Sequence, residues 1–229
     1  YRMHSHIMNT INQFYQDESG LGLIPGIKNE EEARAHHLAG KYVQPHNHVV
    51  WMDVPLSPAY REKKGKNGQS YYNEAEIFLI EKTLEDLNRA VEALKMNQLF
   101  PNDKKKDVGI ISFYGEQVKR LRLALSEERF PNLALRIGTV DRFQGMERSI
   151  IIASFVRNNP NGKIGFAEDF RRINVALSRA KELLIVTGCS NLFSSASDLY
   201  QNVLYEVAKV HGYKPNIMHE IGQEMLNTN

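Results

Sequence analysis

Three arginines stand out in RRINVALSRAKE, Arg171 to Glu182. Arg171, Arg172 and Arg179 share a stretch in which Ile173, Val175, Ala176 and Leu177 supply the apolar spacing of a helix. A folded core accounts for the apolar set and leaves the arginines unexplained. A guanidinium is permanently charged and its planar fork matches phosphate oxygens, although a basic helix face in water needs no ligand. A second polar cluster lies in GTVDRFQGMERSIIIASFVR, where Thr139, Asp141, Arg142, Gln144, Gly145 and Glu147 sit between two apolar runs. Thr139 can hydrogen-bond a phosphate oxygen. Gln144 and Glu147 can meet a ribose, a water or a partner loop, and Gly145 permits a turn or close ligand approach. A solvated surface loop accounts for the same residues. A third cluster, in ISFYGEQV, puts Ser112, Tyr114 and Gln117 at a strand end and helix start. Free helix N–H groups meet polyanions at such places; Ser112 as a cap and Tyr114 as a half-buried ring is the plainer alternative. The chain opens on YRMHSH, where Tyr1 can stack on a base and Arg2 can reach a phosphate.

Several chemistries are excluded or disfavoured. The single cysteine, Cys189, rules out an intrachain disulfide framework and a cysteine-based zinc cluster, and beside an apolar run it reads as an inert thiol. His4 and His6 lack a third ligand placed by spacing, and His36, His37, His46 and His48 are scattered in polar sequence, so no metal site is expected. No Ser–His–Asp arrangement can be assigned. GxxxxGKS/T and GxGxxG are both absent, so the chain alone should not hold a nucleoside triphosphate in a P-loop or a dinucleotide in a glycine-rich turn. The net charge is +2, so any basic binding surface must be local. There is no apolar run of roughly 18 residues and no signal-like opening, so an intracellular protein, cytoplasmic if bacterial and nuclear or cytoplasmic if eukaryotic, is expected. The first residue is Tyr1, and the chain reads as a fragment.

These clusters need elements to position them. MNTINQFY, from Met8 to Tyr15, has helical spacing. VVWMDV reads as a strand within the otherwise irregular, loop-rich 28–70 segment, which has four basic residues after position 56. Ile77, Ile80, Leu84, Leu87, Val91 and Leu94 form one helical stripe that Asn73 can cap. Strands follow at VGIIS, near Ala134–Ile137, at SIIIASFV and at LLIVTG. Helices are expected around Val118–Leu125, near Phe170–Ala180 and from about Ser194 to Val210. Strands and helices alternate at βαβ spacing. This predicts an α/β fold with one mostly parallel sheet flanked by helices, right-handed crossovers, and ligands beyond the carboxyl ends of the strands.

In order and spacing, these segments resemble the second RecA-like domain of superfamily-one helicases. The branch resembled contains the nonsense-mediated-decay RNA helicase, senataxin and the Dna2 helicase-nuclease. YRMH matches the segment after the family's third motif. ISFYGEQV matches its fourth, GTVDRFQGMERSIIIASFVR its fifth and RRINVALSRAKELLIVTG its sixth. The resemblance spans almost the whole chain. It implies a single domain over residues 1–229, with a three-layer RecA-like P-loop NTPase fold that lacks its own P-loop. The implied function is the C-terminal motor half of an ATP-dependent DNA or RNA helicase. A non-enzymatic scaffold of helicase ancestry is the alternative.

The resemblance assigns roles at matching positions. Arg179 corresponds to the arginine finger on the γ-phosphate and Arg2 to a second arginine reaching it. Tyr1 corresponds to the aromatic that packs on adenine. Gln144 and Glu147 lie beside the nucleotide, with Glu147 near its sugar. Thr139 contacts the nucleic-acid backbone, and Ser112, Tyr114 and Gln117 fall in the nucleic-acid-facing fourth motif. Arg172 is expected to orient the sixth-motif helix or Glu147. The implied cofactors are ATP and Mg2+, held in the full-length protein; no bound cofactor is expected on the isolated chain, which should be monomeric and inactive. The implied partners are single-stranded DNA or RNA and an upstream RecA-like domain of the same polypeptide, with no membrane.

Overall fold

β-branched runs that end in Ser, Thr, Gly or Asp become parallel strands, and the amphipathic runs between them become the layers on either side. A computed structural model of the protein describes residues 3–15, 22–24, 26, 29–66 and 68–227. The strands are β1 (Val49–Asp53), β2 (Lys63–Lys64), β3 (Tyr71–Tyr72), β4 (Lys106–Ser112), β5 (Leu133–Thr139), β6 (Arg148–Ser154), β7 (Ala180–Gly188) and β8 (Tyr213–Lys214). The helices are α1 (Ser5–Ile11), α2 (Glu30–Ala33), α3 (Glu74–Met96), α4 (Gly115–Ala124), α5 (Phe170–Leu177), α6 (Ser190–Ala196), α7 (Asp198–Lys209) and α8 (Ile217–Asn227). Six strands form one parallel sheet in the order β5-β4-β6-β7-β1-β8. β2 and β3 make a separate antiparallel hairpin.

Strand residues alternate between two cores, as the period of a strand requires. Trp51, Ile111, Ile151, Leu184 and Val186 pack under α1, α5, α6 and α7. Val50, Val108, Ile110, Ile150, Ile152 and Ile185 pack under α3, α4 and α8. The result is a three-layer α/β fold of RecA-like type. The Trp51 indole also donates to Gly188 O (3.1 Å), tying β1 to the end of β7.

α3 begins where Asn73 Oδ1 accepts from the backbone N–H of Ala75 (3.0 Å) and Glu76 (3.3 Å). Its buried face carries more than the apolar stripe. Asp86 accepts from Lys41 N (2.9 Å) and Tyr42 N (3.0 Å), pinning the loop before β1, and Glu76 enters the end of the sheet. The helix expected over Ser194–Val210 is two helices. Ser197 takes an extended backbone and its Oγ accepts from Leu199 N (3.3 Å), so it caps α7 where a single helix would have run through. The short β2 strand lies inside the 28–70 segment, so that segment contributes a hairpin arm as well as β1.

Candidate nucleotide and nucleic-acid sites

The candidate residues divide between the two ends of the sheet. Thr139 ends β5 and pairs in register with Ser112, the last residue of β4, so both lie at the carboxyl edge. Arg179 and Glu147 lie at the opposite edge: Arg148 N donates to Arg179 O (2.9 Å), and β6 and β7 start at the next residues. Thr139 and Ser112 therefore lie at the edge where ligands were expected, whereas Glu147 and Arg179 lie at the opposite one. The reason is topological. The chain from β5 to β6 has no α-helix; a short 3-10 turn, Val140–Phe143, leads it down the face, with Phe143 buried against Gly109 and Gly138. Gly145, at φ +78, then makes the turn into β6.

α5 spans the same distance in the same sense. Asp169 caps it through Arg171 N (3.1 Å) at the carboxyl edge, and it delivers Arg179 to the amino edge. From Arg172 to Arg179 is about 10 Å of helical rise. Arg172 pairs with Asp141 (3.1 Å), two residues beyond Thr139, and its guanidinium lies 5.2 Å from the Phe166 ring. Arg172 thus fastens α5 to the Thr139 loop, and its ion-pair partner is Asp141, not Glu147.

At the amino edge a cavity of about 250 Å³ is lined by Met3, Glu147, Asn174, Ser178, Arg179 and Lys181, among others. Arg179 rests on its own helix, Nε donating to Val175 O (3.0 Å) and Nη2 to Ser178 Oγ (2.8 Å). Among the described residues no carboxylate pairs with Arg179 or Lys181. A cavity with two uncompensated cations and one exposed carboxylate suits the sugar and phosphate side of a nucleotide. Tyr1 and Arg2 lie outside the described residues, but His4 N donates to Lys181 O (3.0 Å), which brings Met3 to the Arg179 cavity. Gln144 is exposed on the turn and is not among the residues lining that cavity. Lys181 and Asn174 are cavity residues that the sequence did not single out. Lys181 follows Arg179 by two positions, which was the available signal.

At the carboxyl edge, Thr139 is half-buried and its side chain does not cap the following turn. Ser112 and Gln117 are fully buried. Ser112 Oγ donates to Ser154 O (3.1 Å). Gln117 Oε1 accepts from Asn73 N (2.9 Å), and its Nε2 donates to Ser154 Oγ (2.9 Å). Tyr114 is buried, and its hydroxyl accepts from Arg157 Nη1 and Phe166 N (both 3.4 Å). These three side chains shape the edge from beneath; the surface a strand would meet is that of the loops they hold.

Under that edge lies an element the sequence reading missed. Glu76 is buried; its carboxyl accepts from Ser154 Oγ (2.6 Å), Thr187 Oγ1 (3.1 Å) and Val156 N (2.7 Å), and burial pushes its pKa up to about 8. Asn73 Nδ2 donates to Val156 O (3.1 Å). Val156 is thus clamped on both sides in a left-handed backbone (φ +70), which is strained for a β-branched residue. Glu76 lies four residues before Ile80, in line with the stripe of α3, and that spacing was the signal.

The histidines that looked scattered also converge. His4 stacks on His48 with ring centroids 3.4 Å apart; His6 lies 4.6 Å from His4 and His36 4.7 Å from His48. Ring nitrogens engage the backbone: His36 with Asn47 O (2.9 Å) and Leu38 N (3.0 Å), His48 with Glu182 O (2.6 Å). Among the described residues no group of three His, Cys, Asp or Glu is placed to hold a metal, and no helix is long and apolar enough to cross a membrane. Cys189 is buried and its thiol is pushed up to about 11 by that burial.

This arrangement has known relatives. Residues 1–191 match a family model described as an AAA domain, and the chain belongs to that family, in its superfamily-one helicase type. The chain is 30% identical over 233 residues to the DNA replication ATP-dependent helicase/nuclease DNA2 of Xenopus tropicalis, covering 93% of this chain and 20% of that protein. It is 36% identical over 220 residues to the uncharacterized ATP-dependent helicase MJ0104 of Methanocaldococcus jannaschii, covering 91% and 28%. It is 30% identical over 207 residues to the putative helicase MOV-10 of Gallus gallus, covering 85% and 20%. The chain thus spans about a fifth to just over a quarter of the length of these relatives.

Proposed function

We propose that this chain is the C-terminal motor half of an ATP-dependent DNA or RNA helicase, supplying the arginine finger and part of the nucleic-acid track. The observation that carries the reading is Arg179, a guanidinium without an ion-pair partner among the described residues, lining a cavity with Glu147 and Lys181. In this reading Arg179, with Arg2, neutralises charge on a transferring phosphoryl group. Glu147 accepts from the nucleotide sugar, Gln144 lies beside the nucleotide, and Tyr1 packs on the base. Thr139 contacts the backbone of a single strand at the other edge, while Ser112, Tyr114 and Gln117 position the loops around it. Backbone contacts of this kind grip without reading sequence.

The two edges are joined by α5, which is fastened at Asp141 and carries Arg179 in the following turn. A pull on Arg179 by the γ-phosphate closes the domain pair, and its release on hydrolysis reopens it. The same displacement reaches the Thr139 loop through Arg172. ATP supplies the phosphoryl group. In this reading Mg2+ accompanies the ATP phosphates and is held by the upstream half.

The test joins the chain to its upstream RecA-like half and measures ATPase activity with and without a single-stranded oligonucleotide. The joined protein hydrolyses ATP and is stimulated; the 229-residue chain alone does not hydrolyse it. Hydrolysis by the chain alone overturns the reading, and a folded joined protein with no stimulation favours a scaffold. Unwinding of DNA and RNA duplexes side by side by the joined protein assigns the substrate.

A further inference from the structure

The β2–β3 hairpin and α4 enclose a groove of about 420 Å³, lined by Lys66, Gln69, Ser70, Lys119, Arg120 and Leu123, among others. The two segments, residues 61–74 and 115–124, carry seven basic and three acidic side chains in a chain whose net charge is only +2. The acidic side chains are committed. Glu62 pairs with Arg157 (3.0 Å), Glu74 with Lys63, and Glu116 with Arg120 (3.1 Å), which also stacks on the Tyr72 ring at 3.4 Å. Arg122 donates to Ile137 O (2.7 Å). Arg61, Lys64, Lys66 and Lys119 have no carboxylate partner among the described residues and are exposed.

The hairpin is held in place. Gly65 N donates to Ser70 O (2.8 Å), Glu116 N to Ser70 Oγ (3.2 Å), and a side chain at Gly65 would press on Glu116. It is continuous with the carboxyl edge: Tyr71 meets Tyr114 edge-on (5.8 Å) and lies beneath the Arg157 guanidinium (4.5 Å). Leu123, 79% exposed, adds an apolar wall among the cations. Phosphates need the cations, and bases pack on apolar surface, so the groove matches a strand that offers both.

We infer that this hairpin–α4 groove binds the phosphate backbone of a single-stranded nucleic acid, extending the track beyond Thr139. The inference rests on the helicase reading above and gives the hairpin a role. Its test is fluorescence anisotropy of the 229-residue chain with labelled oligothymidylate and oligouridylate across a salt series. The combined variant Lys64→Gln, Lys66→Gln and Lys119→Gln is compared with the charge-matched Lys104→Gln, Lys105→Gln and Lys209→Gln. The groove variant weakens binding on the order of tenfold at low salt and flattens the log K against log salt slope by up to about 2, at roughly 0.7 per phosphate contact. The matched variant retains wild-type binding. Equal losses in both variants, no loss in the groove variant, or no binding by the wild type overturn the groove. Binding of polyglutamate as tight as that of the oligonucleotides overturns it in favour of an acidic protein segment. Retained nucleic-acid-stimulated ATPase in the joined protein carrying the groove variant, with unchanged oligonucleotide affinity, removes the groove and leaves the helicase reading intact.

Discussion

Glu76 and the amino-edge histidines give this protein two opposed pH dependences. The Glu76 carboxyl, at about 8 in the fold against an ordinary 4.5, holds a proton that the unfolded chain releases between those values. Stability contributed by that proton is present at low pH and is lost as pH rises through the window. His4 and His36, depressed from 6.5 to about 3 by burial, work the other way: the unfolded chain takes up protons that the fold refuses, so stability falls as pH drops below 6.5. Glu76→Gln should therefore flatten the alkaline decline and leave the acid one in place, read from urea-denaturation midpoints across pH. An unchanged alkaline slope would mean that the Glu76 carboxyl is already ionised in the fold. Glu76 was legible only through its spacing, four residues before Ile80 on the stripe of α3, and its charge argues against burial. His4 meets His48 because β1 and β7 are neighbours, and His36 joins them through its bond to Asn47 O, contacts that no local pattern reports.

At the level of elements, local chemistry was readable wherever one residue decided the outcome. Asn73 capping α3 and the stripe through Leu84 and Val91 were of this kind. Ser197 was missed: it lies in the polar run SSASD with Asp198 in the first turn of α7, a cap signal that competed with the apolar spacing on either side. α5 carries the functional consequence. If the Arg172–Asp141 pair ties the nucleotide edge to the Thr139 loop, Arg172→Ala and Asp141→Ala should each reduce nucleic-acid stimulation of ATPase several-fold, and the double variant should lose no more than either single one. A steady-state ATPase titration with oligonucleotide measures this. Additive losses would show that the pair does not act as a unit.

The whole molecule combines a legible fold class with an illegible placement. Alternating βαβ spacing led to a parallel three-layer sheet, but the order β5-β4-β6-β7-β1-β8 depends on pairings between distant segments. A strand's pattern also does not say at which end a loop residue will do chemistry. Thr139 and Glu147, eight positions apart, consequently lie at opposite edges, with Phe143 buried between them. In the proposed motor, that separation lets one domain contact nucleotide and strand at once. The most direct measurement is the ATPase rate of the protein joined to its upstream half, with Arg179 intact and with Arg179→Ala and Arg179→Lys, at saturating nucleic acid. The account predicts that Arg179→Ala lowers kcat by about 10³ to 10⁵, that KM for ATP changes far less, and that lysine restores little of the loss. Undiminished kcat in a folded Arg179→Ala protein would contradict it.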